Sequence, residues 1–283
     1  MIKKRVTIKD IANACGVSTA TVSYVLNGRE DQHISEQTRN RILHYVNINN
    51  YESSITARAL ATGNNRAVGI YAPCGELASD RASATMLFVE ALASALAAAE
   101  LRTVLLTGQC TSQRSQHVDA IVAVNVTRAD FYAIGEENFC PLICVDGCMD
   151  DLLLFYQVYD DFAAAASLAC ALSGARRTVF LTSGYRDDGI MRRIYGSFDE
   201  VVREAPEHIA QNAVLLADGP DTARRAAQMG LPTIALVYEG QPSPLPPQRT
   251  LTLSPARKAA TVRELISETM ARSSRPAHDI RIF

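Results

Sequence analysis

The first part of the chain repeats apolar residues at the spacing of short helices. Thr7 precedes Asp10 by three residues, as in a capping box, and apolar positions then recur every three or four residues until Gly16. A second helix is predicted from a Ser18 cap to Leu26. Two short helices joined by a three- or four-residue turn with a glycine are typical of a helix-turn-helix.

The predicted second helix has two different faces. Its apolar residues are Val22, Val25 and Leu26. At about 100° per residue, Ala20 and Tyr24 lie on the opposite side. A third helix is predicted after Ser35, and its apolar face would close a three-helix core. The polar face of the second helix is therefore predicted to contact a partner or to be merely solvated.

Beyond Arg66, apolar runs alternate with alanine-rich segments. Strands are predicted at AVGIYA, RTVLLTG, VDAIVAVNV, CPLICVD, RTVFLTSG and PTIALVY, and helices at LFVEALASALAAAE and FAAAASLACALS. Uninterrupted apolar strands that alternate with helices are typical of parallel sheets covered on both faces. The sequence therefore predicts an all-α headpiece followed by an α/β region.

Length and composition limit the possible classes. A chain of 283 residues is longer than a typical single domain, and its 48% hydrophobic content is enough to form hydrophobic cores. No apolar run of membrane-spanning length is present, and Lys3-Lys4-Arg5 is followed by polar and amphipathic sequence. We therefore expect a cytoplasmic protein with no membrane partner.

The net charge of −2 conceals an asymmetry. Residues 1–65 contain eight basic and five acidic residues, a formal charge of +3, whereas the remainder contains 20 basic and 25 acidic residues, a charge of −5. The basic surface is thus confined to the N-terminal quarter of the chain, and a polyanion would bind there.

The sequence gives little support for a metal site or an enzyme active site. The closest cysteines of the seven, Cys140, Cys144 and Cys148, are spaced by four around a predicted strand, which favours buried structural thiols over a metal or redox site. The five histidines are dispersed, and no nucleophile elbow, phosphate loop or dinucleotide fingerprint occurs. We therefore expect no enzyme activity, no metal and no cofactor.

About the first 73 residues resemble the lactose-repressor (LacI) family. The resemblance is carried by TIKDIANACGVSTATVSYVLNG, ISEQTRNRI and YESSITARALATGNNRAVGIYAP, with a longer loop at residues 29–33. It implies base reading in the major groove by Thr19, Ala20 and Tyr24. It implies contacts with the DNA backbone by Thr7, Ser18, Ser23, Asn27, Thr38 and Arg39. Ala20 donates no hydrogen bond, so an apolar contact such as one with a thymine methyl is expected there.

The resemblance also implies a hinge helix that enters the minor groove of a palindromic operator. Its residues are Ser54, Ala57, Leu60 and Ala61, with Leu60 as the apolar wedge and the alanines allowing two hinge helices to approach. A plain linker helix is the alternative. Glu52-Ser53 stands where the family usually has a proline, so hinge entry is expected to be less rigid.

The rest of the chain resembles the family's two-lobed, periplasmic-binding-protein-like effector domain more weakly. The domain is abbreviated, because a family helix is missing between LLTG and VDAIV, and a helix, a strand and an acidic ligand residue are missing after PTIALVYEG. The resemblance implies an effector site at Asp160 and at Arg192 or Arg193, for which structural roles remain an alternative.

Together these features predict three segments: a headpiece over residues 1–52, a hinge over 53–65 and a shortened α/β domain over 66–283. The implied function is a homodimeric transcription regulator, a repressor that binds double-stranded DNA. Two roles remain open for the α/β domain. It binds a sugar-like or nucleoside-like effector, or it has lost that ability and serves for dimerisation or protein docking.

Overall fold

The computed structural model describes residues 6–26, 34–48, 65–75, 77–150, 155–271 and 277–283. The chain divides into two compact units, Met1–Asn65 and Arg66–Phe283. The predicted hinge residues, together with Asn27, lie outside the described residues.

Within residues 6–26 and 34–48, the first unit contains three helices around a small apolar core. They are α1 (Ile8–Cys15), α2 (Thr19–Leu26) and α3 (Glu36–Ile48). Ile11, Val22 and Ile42, one from each helix, are fully buried in the core. The helix-turn-helix and the third helix predicted from the apolar spacing are therefore confirmed.

Local hydrogen bonds set the helix boundaries. The hydroxyl of Thr7 accepts from the Asp10 amide at 3.3 Å, and the Asp10 carboxylate accepts from the Thr7 amide at 2.9 Å. These two bonds form the predicted capping box. Gly16 ends α1, and the Ser18 hydroxyl accepts from the Thr21 amide at 3.0 Å at the start of α2.

The second unit is built on two parallel sheets. The first has the order β11-β5-β4-β3-β1-β2 and the second the order β10-β9-β8-β6-β7. The strands of the first sheet are β1 (Ala67–Tyr71), β2 (Arg102–Leu105), β3 (Ala120–Val124), β4 (Leu142–Val145), β5 (Tyr156–Asp160) and β11 (Asp279–Ile282). Those of the second are β6 (Arg177–Leu181), β7 (Glu200–Val202), β8 (Ala213–Asp218), β9 (Thr233–Tyr238) and β10 (Thr250–Leu253).

Helices cover both faces of each sheet and define two lobes. Lobe 1 contains the first sheet with α4 (Ser79–Ala98), α5 (Arg128–Glu137) and α9 (Pro255–Met270). Lobe 2 contains the second sheet with α6 (Phe162–Ser173), α7 (Asp188–Tyr195) and α8 (Pro220–Gln228). The chain passes from lobe 1 to lobe 2 after β5 and returns after β10. The predicted two-lobed α/β architecture is confirmed.

The predicted abbreviation is visible in two connections. Between β2 and β3 the chain makes one short 3₁₀ turn, Gly108–Thr111, and no α-helix is described there. Between β9 and β10 it contains a second 3₁₀ turn, Pro247–Arg249, without an intervening helix or strand. Both connections lie within the described part of the chain.

Helix α4 is the one described helix that is long and apolar enough to cross a membrane. Its Phe88, Leu92 and Leu96 side chains are buried against the first sheet and α9. The first turn of the helix also carries Asp80 and Arg81, which are both buried. The packing of α4 is therefore that of a core helix.

Two glycines with positive φ give a matched test of the lobe contact. Gly174 (φ 72°) ends α6 with open space around it, whereas Gly219 (φ 111°) lies so close to Asp80 that an added Cβ would overlap its side chain. We expect Gly174→Ala to lose about 1 kcal/mol of unfolding free energy, because only backbone strain is added. Gly219→Ala should lose clearly more in urea unfolding of the full chain, and equal losses would contradict this close approach.

Candidate nucleic-acid interface and interlobe site

Helix α2 turns one side to the core and the other away from it. Val22 and Val25 are buried, whereas Thr19 and Ala20 are exposed and Tyr24 is partly exposed. The apolar contact fixes the helix on α1 and α3. The three predicted base-reading residues therefore lie on the side of α2 that the core does not use.

The described members of the predicted backbone-contacting set are also accessible. Thr7 and Ser18 are exposed, and Ser23, Thr38 and Arg39 are half-buried. The Ser35 hydroxyl donates to the Thr38 hydroxyl at 2.9 Å and accepts from the Thr38 amide, which fixes the start of α3. Short hydroxyl side chains at helix starts, beside an exposed helix face, suit contacts with phosphates that flank a groove.

A second site is formed where the lobes meet. In parallel sheets, ligands bind beyond the carboxyl ends of the strands. In lobe 1 these ends carry Asn125, Asp146 and Asp160, and in lobe 2 they carry Thr182, Asp218 and Tyr238. All six side chains are buried, and most are bonded to protein groups.

Arg81 crosses from lobe 1 into this site. Its guanidinium forms an ion pair with Asp218 and donates to the hydroxyl of Tyr238 at 3.4 Å. It also lies 4.0 Å from the ring centroid of Tyr185. Although burial disfavours the charged form, Asp218 and the two tyrosines hold the pKa of Arg81 well above its ordinary value.

Lys258, in the first turn of α9, forms a second buried centre. Its ammonium lies 2.9 Å from the Asp146 carboxylate and 2.8 Å from that of Asp160, and the Tyr238 hydroxyl donates to Asp160. Burial raises the pKa of Asp146 despite the nearby ammonium. Burial opposes the charge on Lys258, but the two carboxylates raise its pKa above the ordinary range. The predicted effector residue Asp160 is thus bonded within the protein.

Asp80 caps a helix of the opposite lobe. Its carboxylate, on the first turn of α4, accepts from the amides of Asp221 at 3.1 Å and Thr222 at 2.9 Å. The Thr222 hydroxyl donates to the same carboxylate at 2.8 Å. These groups belong to the first turn of α8, where a carboxylate is favoured by unpaired amides and by the helix dipole.

Two further main-chain contacts join the lobes. The amide of Cys148, after β4, donates to Asp187 at 2.9 Å. The amide of Arg186, before α7, donates to Asn125 at 3.1 Å. Both acceptors are buried side chains, so these bonds also require the lobes to be in contact.

The two arginines predicted for the effector site lie at its margin. Arg193 forms an ion pair with Asp279 of β11 at 3.1 Å, and Arg192 has 65% of its side chain exposed, 4.0 Å from Asp150. Neither is bonded to Arg81 or to Lys258 in the contacts that the structure describes. Their role in effector binding stays a prediction.

A cavity of about 390 Å³ opens beside the Asp80 contact. It is lined by the start of α4, the loops after β6 and β7, and one side of α8, with Asp80, Arg203, Glu204 and Arg225 as charged groups. Arg81, Asp218, Tyr238 and Lys258 do not line it. The cavity therefore lies at the rim of the interlobe contact, outside the buried charge network.

The cysteines show the environment expected of structural thiols. Cys144 and Cys148 are buried and Cys140 is half-buried. Burial raises the pKa of Cys140 to about 11 and that of Cys148 to about 12, so both thiols stay protonated. Within the described ranges, no group of three or more His, Cys, Asp or Glu side chains is placed to hold a metal.

Four residues of the buried centres, Arg81, Asp218, Tyr238 and Lys258, were not predicted from the sequence. One available signal was the position of Lys258 within an apolar helical stripe, four residues before Val262. A second was the position of Asp218 and Tyr238 as the polar ends of apolar strands.

The fold and the headpiece define a helix-turn-helix domain joined to a two-lobed α/β domain of the periplasmic-binding-protein type. Residues 7–54 match the family model described as bacterial regulatory proteins, lacI family. The likeness to this family model is confined to the N-terminal unit of the chain.

Two relatives show how far the sequence likeness extends. The sucrose operon repressor of Klebsiella pneumoniae is 45% identical over 74 residues, which cover 26% of this chain and 22% of that protein. The fructose operon regulatory protein of Vibrio cholerae serotype O1 is 28% identical over 169 residues, covering 57% of this chain and 52% of that protein. The matches thus span about a fifth and about half of these relatives.

Solved structures extend the likeness in fold to the whole chain. The lac repressor dimer bound to operator and the anti-inducer ONPF superposes with a TM-score of 0.65 at 15% identity, covering 99% of this chain and 96% of that one. A complex of the transcriptional regulator CelR with cellobiose gives a TM-score of 0.51 at 14% identity, covering 98% and 97%. At these identities the likeness concerns the fold alone.

The Lys258 centre predicts a pH-dependent loss of stability. Lys258→Met leaves Asp146 and Asp160 buried without their cation, so we expect the free energy of unfolding to fall by about 3–5 kcal/mol near neutral pH. Burial already raises the pKa of Asp146, and without the ammonium this pKa should lie further above the unfolded value, so the Asp146 carboxyl favours folding at low pH and this contribution is lost as the pH rises.

The deficit should therefore be smaller at about pH 5 than at about pH 8, measured by urea unfolding of the full chain. Arg192→Met, at an exposed position, is the control and should change stability little at either pH. A Lys258→Met deficit of the same size at both values would contradict the buried-charge interpretation.

Proposed function

We propose that the protein is a sequence-specific DNA-binding transcription regulator that acts as a dimeric repressor on a palindromic operator. The observation that carries the proposal is helix α2, whose apolar side is buried while Thr19 and Ala20 are exposed, within a domain that matches the LacI family model. A helix held in this way enters a major groove with its outer face against base edges.

Each predicted contact has a chemical reason. Thr19 and Tyr24 offer hydroxyls for base edges, and Ala20 offers a methyl group to thymine. The set Thr7, Ser18, Ser23, Asn27, Thr38 and Arg39 positions the headpiece on phosphates. The formal charge of +3 over residues 1–65 supports binding of a polyanion at this end.

The related proteins support the remaining parts of the proposal. The names sucrose operon repressor and fructose operon regulatory protein describe operon control, and the lac repressor structure contains a dimer on its operator. For this chain we infer the same class of action, in the cytoplasm and without catalysis. The hinge residues Ser54, Ala57, Leu60 and Ala61 are proposed to meet their symmetry mates at the operator centre.

Substitutions in the headpiece should separate base reading from backbone contact. Thr19→Ala and Tyr24→Ala should each relax base preference by about 1–3 kcal/mol per lost contact, because hydrogen bonds to base edges disappear while phosphate contacts remain. Arg39→Ala should instead weaken binding to all sequences together. The measurement is selection of bound sequences from random DNA by the full-length protein.

The unaltered chain tests the proposed function itself. It should enrich one palindromic motif with an affinity that falls as salt is raised. Failure to enrich any motif at low salt would refute the function. Retention of the same motif at the same strength by Tyr24→Ala would refute only the reading role of that residue.

Leu60 should control DNA bending. Leu60→Ala removes the apolar wedge, so we expect reduced bending of the operator and weaker specific binding, without a change in headpiece folding. Bending is measured by fluorescence energy transfer between the ends of an operator duplex, and folding by circular dichroism. Thr56→Ser, a conservative change on the same predicted helix at a position without an assigned DNA contact, is the control. If Leu60→Ala bends the operator as the unaltered chain does, residues 54–61 are a linker.

A further inference from the structure

We propose that Arg81 acts as a built-in ligand of the interlobe site and holds the two lobes closed without a small molecule. The importance of this contact for regulation rests on the proposed function, but closure of the lobes can be tested without DNA. Its basis is the set of contacts that Arg81 and its neighbours make across the lobes.

The position of Arg81 is that of a bridging ligand. The side chain starts from the first turn of α4 in lobe 1, and its three partners, Asp218, Tyr238 and Tyr185, all belong to lobe 2. They lie beyond the carboxyl ends of β6, β8 and β9, the region where parallel sheets bind their ligands. A ligand that closes two lobes must contact both of them, and Arg81 does so while it is covalently attached to one.

The partners supply an anion, a hydroxyl and a ring face for a planar cation, and only the buried Nε of Arg81 has no hydrogen-bond partner among the described guanidinium contacts. Asp218 supplies a carboxylate that also accepts from the Thr182 hydroxyl at 2.6 Å, and the Tyr185 ring supplies an aromatic face. The Arg81 and Asp218 side chains are only 2% and 5% exposed. A guanidinium suits such a site because it pairs with a carboxylate and stacks on a ring at the same time.

The neighbouring contacts show that the lobes are joined around Arg81. The amides of Asp221 and Thr222 donate to Asp80, and those of Cys148 and Arg186 donate to Asp187 and Asn125. Each of these four bonds joins one lobe to the other. They therefore form a set of amides that reports whether the lobes are closed.

A ligand that is covalently part of the chain changes the free energy of lobe closure. Arg81 is always present at a high effective concentration, so closure pays no cost for capturing a free molecule. A small molecule could open or replace this contact only if it bound one state of the lobes more tightly than the other. The difference between its two binding free energies would have to equal or exceed the free energy that the Arg81–Asp218 pair contributes to closure. The α/β region is thus a preassembled scaffold for its DNA-binding headpieces.

Hydrogen exchange on the full-length protein without added small molecules tests closure directly. We expect the amides of Asp221, Thr222, Cys148 and Arg186 to be protected, because each donates across the lobes. In Arg81→Ala the same amides should exchange at least about tenfold faster, while strand amides at the centre of both sheets keep their protection.

Chemical complementation identifies the bound group. N-ethylguanidinium contains the atoms that Arg81→Ala removes, so millimolar concentrations should restore protection of the four amides and raise the melting temperature of this variant. N-ethylammonium, which has a charge but no planar fork, should not restore either. Arg192→Ala, which removes an exposed arginine, is the matched control and should respond to neither cation.

Three results would overturn the proposal: fast exchange of the four amides in the unaltered chain, retained protection in Arg81→Ala, or equal rescue by both cations. If Arg81→Ala does not fold, Arg81→Met keeps most of the volume without the charge and should show the same local loss of protection. Operator binding is measured separately. A protein with protected amides that fails to select DNA would refute the proposed function and leave the Arg81 contact standing.

Discussion

The pairing of Arg81 with Asp218 is the contact on which the arrangement of the α/β region depends. Transferring two ions from water to a site that is almost fully buried costs several kcal/mol per ion, and only closely placed partners offset that cost. The pair forms only if α4 of lobe 1 reaches the ends of β8 and β9 in lobe 2. Asp80 of lobe 1 also lies close to the start of α8 in lobe 2. This approach is possible because Gly219 has no side chain there.

The two units of the chain are held together by different kinds of interaction. The headpiece has a core of apolar side chains, with Ile11, Val22 and Ile42 at its centre, and its polar groups act at helix starts or on the outer face. The α/β region places ionised groups in its interior, including Lys258 between Asp146 and Asp160. An apolar core tolerates a varied surface, which suits the DNA-reading role proposed for this domain. A buried charge network instead favours one arrangement of the lobes, because a displaced partner leaves an unpaired charge.

This difference explains how much could be predicted from the sequence. The helices of the headpiece, the Thr7 capping box and the main strands follow from spacing over a few residues, and the structure confirms them. Strands β8, β10 and β11 were not among the predicted runs, although AVLLAD at β8 has the same apolar character as those that were. The roles of Arg81 and Lys258 depend on which carboxylates surround them after folding. Local pattern cannot supply that information, since a charged residue in a first helical turn is ordinarily solvated.

The shortened connection after β9 and the closed lobes have a common structural basis. Tyr238, the last residue of β9, contacts both Arg81 and Asp160, and so links the two buried charge centres. Three residues later, Gln241 accepts from the Tyr238 amide at 2.9 Å and donates to Ser83 of α4 at 3.2 Å. The loop that replaces the longer connection expected from the family resemblance therefore lies directly against lobe 1. With the closure proposed for Arg81, a chain that is short at this point supplies from its own side chains the contacts that would otherwise need a molecule bound between the lobes.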